Sequence, residues 1–121
     1  MQRPSTRQSP AADKIAKQHM QWIKERGICA GCGVDCGYGN VIVHHCVGSA
    51  YKIHVGLERV LIGHAFVLGL CQSCDDIITH GTHQAFKDLY GDYADIWAVQ
   101  YQQSPVKFGE LIVRGILMCG K

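Results

Sequence analysis

At 121 residues, 47% hydrophobic and with a formal net charge of +2, the chain is long enough for one modest core and too short for two. No apolar run approaches the roughly 18 residues of a membrane span, and the polar start MQRPSTRQSP lacks the apolar stretch of a secretory signal. The expectation is therefore a cytoplasmic protein with no membrane partner, in a reducing compartment where seven cysteines argue for metal ligation before disulfides.

Residues 1–9 read as a disordered basic arm, polar and without apolar periodicity. Charge is uneven: residues 1–28 hold Arg3, Arg7, Lys14, Lys17, Lys24 and Arg26 against Asp13 and Glu25, a net of +4 that leaves the remainder at −2. Such a basic segment on a near-neutral body suits contact with DNA phosphates; a merely solubilising tail is the plainer alternative. Ser9 as cap and Pro10 in the first turn start a helix over residues 10–27 that stops at Gly27. Ile15, His19, Trp22 and Ile23 form its partial apolar stripe, although His19, like His54, is expected at the surface.

ICAGCGVDCGYGN is a Gly- and Cys-rich turn. VIVHHC, β-branched and bounded by glycine, reads as a strand. Residues 48–63 are ambiguous, with VGLERVLIG either a loop or a short strand. HAFVLGL is a second strand running into Cys71. CQSCDDIITH begins a helix, HQAFKDLYG is a helix ended by Gly91, and DYADIWAVQYQQ is another, stopped before Pro105. VKFGELIVRGILMC is helical despite two glycines. The reading is α+β: a core over residues 28–91 and a C-terminal helical extension over residues 92–121.

Cys29 and Cys32 form one C-x-x-C pair, Cys71 and Cys74 the other. Each tight turn offers two thiolates, and two turns complete a closed tetrahedral zinc site that leaves no position for water and is therefore structural. It would fasten the turn before the first strand to the start of the helix after the second, stabilising a ββα unit through metal binding rather than core area. Cys36 is near enough to replace one ligand, and a redox pair or an iron–sulfur cluster are further alternatives. Cys46 and Cys119 read as ordinary buried thiols.

Side chains on a strand alternate between faces, so His44 and His45 side by side pose a question. They are two ligands of one metal, a ligand and a base, or one working residue beside a bystander. Alternation forbids two ligands on a regular strand, so the doublet belongs at a strand end or bulge. If zinc pins the strand pair to the following helix, His44 or His45 can meet Asp75 and His80 around a second ion. His83, at a helix start, is the substitute if His80 points away.

The ordered set His44-His45, His64 seven residues before Cys71, the C-x-x-C, His80, and Phe86 with Tyr90-Gly91 resembles the phage recombination-enhancement nucleases. These are the RecA-dependent HNH family of the ββα-metal superfamily, and the likeness covers about residues 28–91. The resemblance implies a zinc-stapled HNH core and a DNA endonuclease in a bacterial host cell, with single-stranded DNA or a recombination intermediate as substrate and a RecA filament as partner. It implies His45 as general base, with the opposite assignment to His44 as the alternative, His44, Asp75 and His80 holding a catalytic Mg²⁺ or Mn²⁺, and His64 near the catalytic site. Where the family has a final His-His, this chain has Cys74-Asp75. Cys for His is an exchange between zinc ligands, whereas Asp75 is a hard donor that favours Mg²⁺ or Mn²⁺ or marks a site without activity. The competing expectation is a non-catalytic zinc module that binds DNA or protein.

Overall fold

The two apolar runs flanking the ambiguous middle segment pair with each other. In the computed structural model, which describes residues 10–119, β1 (Ile42–His45) lies antiparallel to β4 (Val67–Leu70), with His44 opposite Leu68 and His45 opposite Val67. Between them, β2 (Lys52–Val55) and β3 (Glu58–Leu61) form their own hairpin. The ambiguous segment is thus a strand pair. Gly56, at φ 63°, takes the first central position of a two-residue turn, a conformation open to glycine without strain.

α1 (Pro10–Arg26) precedes the sheets. After β4 come α2 (Gln72–Thr79), α3 (His83–Tyr90), α4 (Tyr93–Gln102) and α5 (Glu110–Cys119). The basic arm, including Arg3 and Arg7, lies outside the described residues. The rest is an α+β fold, as expected, of five helices and two small antiparallel sheets among the described residues.

Strand alternation divides the β1–β4 pair into two apolar faces. Val41, Val43 and Val67 pack with Ile23, Met20 and Trp22 of α1. A Cβ at Gly69 would lie 2.5 Å from Ile23 Cγ2, so only glycine lets α1 sit this close to β4. On the other face Leu68 and Leu70 join the main core with Ile78 of α2, Phe86 of α3 and Trp97 of α4.

Ile112 and Ile116 of α5 share that core with Val55, Val60 and Ile62 of the inserted hairpin and its exit. Residues beyond 91 thus contribute Trp97, Ile112 and Ile116 to the main core. The outer edge of β4 is closed by side chains of α4: Gln100 donates to Val67 O at 3.0 Å and accepts from Gly69 N at 3.0 Å. Trp97 Nε1 donates to Ala65 O at 2.9 Å. An open edge would invite pairing with another chain; here it is satisfied.

One expectation is reversed at α1. His19 is fully buried, not at the surface. It packs edge-on against Phe108 and Tyr101 and lies over Trp22. Its Nδ1 is 3.2 Å from Ser104 Oγ. Burial, and then the charge of Lys107, lowers its pKa to about 4, so the ring is neutral at pH 7.

Candidate functional site

The turn between α1 and β1 brings its two cysteines to the start of α2. Cys29 N donates to Val34 O at 2.9 Å, Gly33 N to Cys29 O at 3.0 Å, and Ala30 N to Gly69 O at 2.7 Å, docking the turn on β4. Cys71 caps α2 in extended conformation, and Cys74 follows one turn later. The sulfurs of Cys29, Cys32, Cys71 and Cys74 all lie within 4.8 Å of one another.

The pair Cys32–Cys71 is 3.7 Å apart, far beyond a disulfide bond and close to the ~3.8 Å edge of a tetrahedron with Zn–S bonds of about 2.3 Å. The four cysteines fit a metal such as zinc. Cys36 is not among them. Burial pushes the Cys29 thiol up, but the backbone N–H groups of Cys71, Cys32 and Gly31 outweigh it and bring it down to about 7, whereas the Cys32 and Cys74 thiols are pushed up, Cys74 chiefly by burial. A Cβ at Gly31 would lie 3.3 Å from both Cys74 Sγ and Phe86 Cζ, and the Tyr90 hydroxyl lies 3.7 Å from Cys74 Sγ.

β1 ends at His45, and the doublet splits. His44 turns toward α2, its Nδ1 3.3 Å from Asp75 Oδ1, both side chains 13% exposed. Its Nε2 is buried and has no hydrogen-bond partner. Burial lowers the His44 pKa, opposed by the Asp75 carboxylate. His45 meets His64, Nε2 to Nδ1 at 3.3 Å. Burial, then the charges of His64 and His44, lower the His45 pKa. His64 also lines a cavity of about 220 Å³ with Ala16, Lys17 and Met20 of α1.

His80 does not join His44 and Asp75. Five residues separate it from Asp75, roughly 140° around a helix. Its side chain is 80% exposed and 3.7 Å from Asp76. His83 is placed nearer: its Nδ1 is 2.6 Å from the hydroxyl of Tyr93, whose ring lies 6.3 Å from that of His44. Among the described residues, only the four cysteines bring three or more metal-donor side chains together.

Of the basic residues, Lys14, Lys17 and Lys24 are exposed on α1, on one side of the helix at 100° per residue. Arg26 instead stacks over Trp22 at 5.2 Å, its Nε buried without a partner. No helix among the described residues is long and apolar enough to cross a membrane. Comparison of the chain with protein-family models, with curated proteins and with solved structures finds no match.

Proposed function

We propose that the chain is a metal-dependent DNA endonuclease of the HNH type, serving phage or prophage recombination. One observation carries the reading. An antiparallel strand pair ends in a His doublet and enters a helix through a four-cysteine cluster, so that His44 faces Asp75 on that helix while His45 is left to a different partner. That is a ββα layout, with the β2–β3 hairpin inserted between its strands. Zinc on Cys29, Cys32, Cys71 and Cys74 is structural in this reading, because four thiolates close the coordination sphere.

Phosphodiester hydrolysis needs an activated water, neutralised phosphate charge and support for the leaving oxygen. His45, neutral at pH 7 because burial lowers its pKa, takes the water's proton. Its Nε2 is engaged by His64, which leaves Nδ1 for the water. Lys17 and Lys24 contact backbone phosphates without reading sequence. A divalent ion, Mg²⁺ or Mn²⁺, supplies charge neutralisation when bound, and the orphaned Nε2 of His44 is the donor best placed for it.

A second reading, a non-catalytic zinc module that binds DNA or protein, draws on the outward-facing His80. Zinc-loaded protein incubated with single- and double-stranded DNA and Mg²⁺ or Mn²⁺, with and without a RecA filament, separates the two. Cleavage that is lost in His45→Ala supports the nuclease. No cleavage under any of these conditions leaves the binding module.

A further inference from the structure

Two rigid walls meet beside the His45–His64 pair. Ala16 and Met20, four residues apart, share one face of α1, with Lys17 next to them, and together with His64 they line a cavity of about 220 Å³. α1 is held in place by the close approach of Ile23 to Gly69 and by the buried His19. The turn carrying His64 is held from its own side. A Cβ at Gly63 would collide with the Ser49 carbonyl, Phe66 N donates to Ile62 O at 2.8 Å, and Ala65 O accepts from Trp97 Nε1. A preformed cavity loses little affinity to ordering when a ligand enters.

The lining has two characters. Ala16 and Met20 are apolar, the His64 ring offers a flat face, and Lys17 is a cation; among the described residues that line the cavity there is no carboxylate. An apolar cavity of about 150 Å³ accepts benzene, so this one has room for a single nucleobase and none for a base pair. Lys17 and His64 are exposed, which leaves the mouth open to a nucleic-acid strand. The His45 and His64 ring centroids are 5.4 Å apart, the scale of the base-to-phosphate span within one nucleotide, so a base against His64 brings a neighbouring phosphate to His45. With His45 Nδ1 turned to the water, His45 Nε2–H donates to His64 Nδ1, and His64 carries its own proton on Nε2, a donor for the acceptor atoms that every nucleobase has.

We propose that this cavity receives one unpaired nucleobase of the DNA strand, its ring against His64 and the Met20 thioether, while Lys17 holds the adjoining phosphate. The proposal rests on the nuclease reading for the choice of DNA as ligand, and base binding is measurable without cleavage. Every base has an aromatic face, so the pocket tolerates any sequence; what it demands is a nucleotide free of its partner where it binds.

The test uses zinc-loaded full-chain protein free of Mg²⁺ and Mn²⁺, with the methionine methyl groups labelled for nuclear magnetic resonance. Deoxyadenosine monophosphate should move the Met20 methyl and the His64 ring signals, whereas deoxyribose 5-phosphate and inorganic phosphate should leave the Met20 methyl in place. A duplex with one bulged adenine should bind at least about five-fold more tightly than the same duplex with an abasic residue at the bulge. Ala16→Met, which fills the cavity, should abolish that ratio, and Lys17→Gln should weaken both duplexes while keeping it.

Equal affinity for the two duplexes would overturn the proposal, as would a Met20 shift of the same size with inorganic phosphate, which would mark an anion site only. Zinc content and unfolding midpoint check that Ala16→Met folds; if it does not, the wild-type titrations decide without it. Cleavage with Mg²⁺ or Mn²⁺ is assayed on the same duplexes. Base-dependent binding without cleavage sinks the nuclease reading alone; cleavage with binding indifferent to the base sinks the pocket alone.

Discussion

His19 ties α1 to the α4–α5 junction, and its burial makes that junction acid-sensitive. In the unfolded chain its imidazole titrates near 6.5, and in the folded protein at about 4. The folded pKa is lowered, so above pH 6.5 the ring is neutral in both states and contributes no pH dependence. As pH falls through 6.5 the unfolded state takes up a proton that the folded state refuses, and stability drops until the folded ring titrates near 4. At pH 5.0 the difference amounts to roughly 2 kcal/mol, and at its limit to about 3 kcal/mol, a sizeable share of the 5–15 kcal/mol typical of a domain.

The assay is urea unfolding of zinc-loaded protein at pH 7.5 and 5.0, read by tryptophan fluorescence, for wild type and His19→Gln. Acid loosening of thiolate ligands is common to both proteins and cancels in the comparison. Wild type should lose roughly 2 kcal/mol more than the variant between the two pH values. Equal losses would refute the argument that His19 is held neutral by burial.

Three further outcomes are expected. Purified protein should carry one zinc, and chelation should lower Tm by more than about 10 °C; Cys74→Ser should lose the metal, whereas Cys36→Ser, outside the cluster, should keep it. Gln100→Ala should cost about 3 kcal/mol in urea unfolding, because it strands the Gly69 N–H and the Val67 carbonyl in the core; a loss below about 1 kcal/mol would mean that water replaces both bonds. Lys17→Gln with Lys24→Gln should reduce the slope of log K against log salt for duplex DNA by about 1.8 if both lysines neutralise phosphates. An unchanged slope would place the DNA on another face.

The features legible in the sequence are those governed by short-range chemistry. Pro10 and Gly27 bound α1, paired C-x-x-C spacings mark the four converging sulfurs, and β-branched runs give β1 and β4. The β2–β3 hairpin was signalled by Gly56-Leu57 between two β-branched stretches, yet four-residue strands with exposed Glu58 and Arg59 carry too little alternation to separate strand from loop.

His19 was misplaced because its partners lie far away in sequence; Ser104 is 85 residues on, and no local pattern announces that cage. Trp97 and Gln100 were missed for the same reason, since both bond to backbone groups of residues 65–69. The His80 assignment treated proximity in sequence as proximity in space. α2 ends at Thr79, and α3 begins at His83 after Gly81 and Thr82, so His80 falls past the helix end and its side chain faces Asp76 and solvent instead of continuing the face of Asp75.

The doublet shows the opposite relation between sequence and space. His44 and His45 are adjacent in sequence, and adjacency on a strand separates their side chains. One ring goes to Asp75 on α2, the other to His64 beside α1. A strand end therefore lets two neighbouring residues take different partners without competing, provided the helices on both sides are pinned. The four-cysteine cluster pins one side, and the contact of Ile23 with Gly69 pins the other. Loss of zinc should disturb His44 before His45, and Gly69→Ala should do the reverse, a contrast that histidine ring chemical shifts can resolve.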